Sequence, residues 1–91
     1  MAALTARQAR VQAYADRHGL TVEIRTETFG DTEITFLTVT NPGRPYSGHV
    51  GLSAWVRPTT GRTSHNATAG TFDSKTIRLR DVFIRLGMLH D

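Results

Sequence analysis

The chain has 91 residues with 11 Lys and Arg, 8 Asp and Glu, four His and no Cys, for a formal charge of +3. A chain of that size makes a single domain, residues 1–91, with a small core and little room for a deep catalytic cleft. The absence of cysteine excludes disulfides, thiolate zinc sites and cysteine nucleophiles, and no apolar stretch is long enough to span a bilayer.

Met1-Ala2-Ala3-Leu4 has neither the charged nor the apolar region of a signal peptide, so a cytoplasmic protein with no membrane partner is expected. Lys75 is the only lysine; every other basic residue apart from histidine is arginine. That bias fits a GC-rich coding sequence, as in a phage or mobile element, and it equally fits bidentate recognition of phosphate or carboxylate. The charge is unevenly spread. Residues 1–33 sum to −1, residues 34–72 to +3 and residues 73–91 to +1, with no acid at all between Ile34 and Phe72.

Thr5-Ala6-Arg7-Gln8 has the spacing of a capping box, with Leu4 and Ala9 placed as a hydrophobic staple. It opens a helix over Ala6–Arg17 that Gly19 closes, with Ala6, Ala9 and Ala13 as a small inward stripe beside Val11 and Tyr14. Leu20–Phe29 alternates as a half-buried strand, and Gly30-Asp31 fits a tight hairpin turn. The next strand, Thr32–Thr40, is apolar on both faces, Ile34 and Phe36 on one and Leu37 and Val39 on the other. Asn41-Pro42-Gly43-Arg44 fits a type II turn. A third strand over His49–Arg57 puts Val50, Leu52, Ala54 and Val56 on one face, opposite Ser53, Trp55 and Arg57. Pro58–Gly70 reads as a polar connection, with a short fourth strand as an option near Thr63–Thr68. Asp73 or Ser74 then caps a last helix over Lys75–Leu86, stopped by Gly87.

The expected class is α+β: a three-stranded antiparallel sheet with both helices on the face bearing Val22, Ile24, Val50, Leu52 and Val56. This helix–three-strand–helix order resembles the double-stranded-RNA-binding domain. Ser74-Lys75-Thr76-Ile77-Arg78 offers one lysine where that family opens its last helix with a lysine-rich run, and the Gly-Pro-x-His hairpin loop is missing. The resemblance therefore implies topology alone.

The chemistry concentrates in the segment Arg57–Asn66. Arg57 and Arg62 are suited to phosphate, with Thr60, Ser64, His65 and Asn66 as hydrogen-bonding partners and Lys75 and Arg78 adding positive potential from the last helix. Trp55 projects from the strand face opposite the helices, where a base can stack on it. Two function classes follow. The first is a non-enzymatic nucleic-acid-binding module that uses Arg57, Arg62, Ser64, His65, Asn66, Lys75 and Arg78. The second is a protein-interaction module (an inhibitor, an adaptor or a homodimer) that uses Leu37, Val39 and Trp55, with Ile77 and Ile84 on the outer side of the last helix. Scattered histidines, and no nucleophile with a base and an orienting acid, give no expectation of an enzyme, a metal or a cofactor.

Overall fold

A computed structural model describes residues 4–67 and 78–90 of the protein. The elements run α1 (Ala6–Arg17), β1 (Thr21–Phe29), β2 (Thr32–Thr40), β3 (Val50–Arg57), β4 (Arg62–Ala67) and α2 (Leu79–Arg85). All strands pair antiparallel with their sequence neighbours, so the sheet order is β1-β2-β3-β4. The α+β class is as expected. The optional fourth strand is present as β4, Arg62–Ala67, paired with Leu52–Arg57 of β3, which separates this order from the three-stranded double-stranded-RNA-binding topology. No helix among the described residues is long and apolar enough to cross a membrane.

The start of α1 shows how local signals and packing combine. The Gln8 N–H donates to Thr5 Oγ1 at 3.3 Å and the Thr5 N–H donates to Gln8 Oε1 at 3.2 Å, closing the capping box. Gly19, at φ 69°, turns the chain out of the helix as its position implies. The inward stripe differs from the expectation. Ala6, Ala9 and Ala13 are exposed, and Gln8, Val11 and Ala15 are buried instead. The reason is Gln8: its Nε2 donates to the carbonyls of Thr35 at 2.9 Å and Leu52 at 3.0 Å, so one amide bolts the helix to β2 and β3. Exposed Ala9 forms no staple, and Leu4 packs against the core.

Cross-strand register decides which side of the sheet is dry. Leu37 lies opposite Ile24 and Leu52, and Val39 lies opposite Val22 and Val50. Residues paired across a ladder point to the same face. Leu37 and Val39 are therefore 1% and 0% exposed beneath the helices, in one core with Val50, Leu52, Val11 and Phe83. The expectation that they flank Trp55 on the open side is overturned. Each fully buried aliphatic or aromatic side chain here is worth about 1.5–3 kcal/mol of hydrophobic transfer. Leu79, Val82 and Phe83 bring α2 to the same face, where the Phe83 and Tyr14 rings sit 5.2 Å apart.

The β2–β3 connection is tied to the end of α2. Asn41 Nδ2 donates to the Met88 carbonyl at 2.7 Å, and the Gly48 N–H donates to the Leu86 carbonyl at 2.8 Å. The Asn41–Arg44 turn closes with the Arg44 N–H on the Asn41 carbonyl at 3.0 Å, but Gly43 has no positive φ and the turn is not type II. Asn41 Oδ1 accepts from the Gly43 N–H at 2.9 Å and sets the turn by a side chain instead. The last helix does not run unbroken from Lys75 as expected, because Arg78 is extended at φ −84° and ψ 140° and the helix begins at Leu79; the expected Asp73 or Ser74 cap, and Ile77, lie outside the described residues. Arg78 stands at the N-cap, Ile84 is half-buried, and Gly87 at φ 76° ends the helix.

Candidate binding face

The sheet face turned away from the helices is built in rows. Glu27, Ile34, Trp55 and Ser64 form one row across the four strands, and Arg25, Phe36, Ser53 and Asn66 form the next. Arg57 and Arg62 are paired at the end of the β3–β4 hairpin. Gly61, at φ 71°, allows that hairpin to close, with the Thr60 and Gly61 N–H groups donating to the Arg57 carbonyl at 3.2 and 2.8 Å. The core cluster and both helices lie on the other side of the sheet. Trp55, one row from that hairpin end, is 46% exposed, and the neighbouring Ile34 is only 8% exposed. Thr32, Trp55, Arg57, Arg62, Thr63 and Ser64 line a shallow depression beside the indole.

Strand alternation splits the residues that stand together in the sequence. Arg57, Arg62, Ser64 and Asn66 share the open face with Trp55. His65 points to the helix side, where its Nε2 lies 2.8 Å from Thr5 Oγ1 and it is half-buried. Arg78 belongs to the helix layer, and Lys75 lies outside the described residues. Of the described residues of the interface set, only Trp55 is on the open face: Leu37 and Val39 are core, and Ile84 is on α2.

Space also cancels the charge separation seen along the chain. Arg57 Nε stands 3.6 Å from Asp31 Oδ2, which also accepts from Thr59 Oγ1 at 3.5 Å. Arg25 Nε stands 3.6 Å from Glu27 Oε1, with its guanidinium carbon 4.7 Å from the centre of the Phe36 ring. Such solvent-exposed ion pairs add about 0–1 kcal/mol to stability, but they neutralise one another's fields. Arg25, Arg57 and Arg62 are thus set against Glu23, Glu27 and Asp31, an even balance on the face and at its hairpin tip. The sequence places these acids on the first hairpin, but Arg25 and Phe36 were not joined to the site, because only pairing in register sets the first hairpin beside β3.

Ser53 Oγ donates to the Asn66 carbonyl at 3.2 Å and fastens β4 to β3 beneath the polar corner of the face. The arrangement offers an aromatic platform, cations with acids beside them, and hydroxyls and an amide at the margin. Among the described residues it contains no cluster of metal-ligating side chains. No protein-family model, curated protein or solved structure matches this chain, so the face is read from its own chemistry.

Proposed function

We propose that the chain is a non-enzymatic protein-interaction module whose working surface is the open sheet face around Trp55. The observation that supports it is a half-exposed tryptophan on the sheet face turned away from the helices, with arginines near it whose charge is offset on the same face. A central aromatic with arginine beside it is the composition of binding hot spots. A balanced face suits a mixed protein surface better than a uniformly anionic backbone. The partner this chemistry selects presents an apolar side chain to the depression beside Trp55 and a carboxylate to Arg62, which has no ion-pair partner among the described residues.

A second reading keeps the β3–β4 hairpin for nucleic acid. It is supported by Arg57, Arg62, Ser64 and Asn66 lying on one side of Trp55 with no acid on the hairpin itself. Here Trp55 stacks on a base and the arginines hold phosphates.

Trp55 is the only tryptophan, so its emission reports on this face without a label. Titration with single- and double-stranded DNA and RNA at low salt is expected to leave that emission unchanged. Affinity capture with the wild-type chain and with Trp55→Ala, compared by mass spectrometry, is expected to yield a protein lost from the variant and kept with Arg44→Ala. A salt-sensitive change in emission on adding nucleic acid, with no protein dependent on Trp55, would replace the first reading with the second.

A further inference from the structure

We infer that two copies of the chain associate through the outer edge of β1, extending the sheet antiparallel across a two-fold axis at Ile24. β1 is a terminal strand of the sheet, nine residues long, free of proline and largely exposed. Long, regular edges of this kind are usually blunted by charged side chains, above all lysine, by proline or by a bulge; β1 has neither lysine nor proline, its charges Glu23, Arg25 and Glu27 are of both signs, and its register with β2 runs unbroken from Thr21 to Phe29.

The backbone settles which groups are available. Phe29 and Thr32 flank a two-residue turn and so exchange hydrogen bonds across the hairpin. Alternation then turns the N–H and C=O groups of Val22, Ile24, Thr26 and Thr28 outward. An axis at Ile24 makes the two Ile24 residues a hydrogen-bonded pair.

The side chains choose among registers. Axes at Glu23, Arg25 or Glu27 place like charges directly opposite, which destabilises a pair. An axis at Ile24 sets Glu23 of each copy against Arg25 of the other, in non-hydrogen-bonded positions where Cα atoms approach to about 4.5 Å. An axis at Thr26 matches Arg25 with Glu27 but leaves the isoleucines apart. Ile24 decides between them: it sits on the helix side of the sheet yet is 47% exposed. The Ile24 axis buries the two isoleucines against each other, with Val22 opposite Thr26 on the same side.

Sedimentation velocity over a wide range of concentration tests this. The wild type is expected to move from monomer to dimer, and Ile24→Lys to remain monomeric with an unchanged far-ultraviolet circular dichroism spectrum. Glu23→Arg and Arg25→Glu each set like charges across the axis and are expected to be monomeric alone. Mixed together they restore both ion pairs and form a heterodimer. Trp55→Ala remains dimeric, which separates this edge from the open face. A wild type that stays monomeric throughout, a dimer indifferent to Ile24→Lys and Glu23→Arg, or a mixture that fails to associate would each overturn the assignment.

Discussion

Phe36 and Leu37 are sequence neighbours on β2, yet one belongs to the open face and the other to the driest part of the molecule. Leu37 is 1% exposed in the core beneath the helices; Phe36 is half-buried, with the Arg25 guanidinium over its ring. Their hydrophobicity does not distinguish them. The difference is register: Leu37 faces Leu52 in the helix-covered layer, and Phe36 faces Ser53 among exposed polar groups. One face holds the fold together and the other is free to hold a partner.

The strongest attempt to break that division is a pair of truncations on adjacent residues. Leu37→Ala removes a fully buried side chain and is expected to cost about 2–5 kcal/mol. Phe36→Ala, on the half-exposed side, should cost about 1 kcal/mol. Urea unfolding of the two variants checks this; equal losses would mean that the faces are not energetically distinct. Gln8→Leu ranks next. It keeps the volume but leaves the Thr35 and Leu52 carbonyls without their amide donor, for an expected loss of about 1–3 kcal/mol. A neutral result there would show that α1 is held by Val11 and Ala15 alone.

Most of the fold was legible because its signals are local. The capping box, the hairpin at Gly30-Asp31 and the stops at Gly19 and Gly87 each follow from a few adjacent residues, and the bounds of α1 and β2 fell where those signals put them. The site was less legible because faces are set by long-range pairing. Alternation in β2 was plain, but only its register with β3 shows that Leu37 and Val39 belong with Leu52 and Val50. His65 was grouped with Ser64 and Asn66 as if on a loop; as β4 residues they alternate, and His65 goes to Thr5. Gln8 was hidden for the opposite reason, a polar residue occupying a fully buried position on its helix.

A smaller effect on stability is expected at Trp55. Its ring lies beside Ile34 and is half open to solvent, so Trp55→Ala should cost about 1 kcal/mol and leave a cooperative thermal transition. Loss of folding would show the indole to be part of a second core and would remove the platform on which both functional readings depend.

The smallest expected change in stability separates those readings most sharply. Asp31→Asn removes the carboxylate beside Arg57 while keeping a side chain that accepts from Thr59. The ion pair is half exposed, so unfolding free energy should shift by less than about 1 kcal/mol. The charge of the face nevertheless rises by one, and Arg57 is released toward solvent. A face built for a mixed protein surface gains nothing for anions from that single change, and emission from Trp55 should stay indifferent to nucleic acid at low salt. A face built for phosphate is held back by Asp31. There the variant would bind more tightly than the wild type, with a steeper fall in affinity as salt is added because one more cation is free to displace counterions.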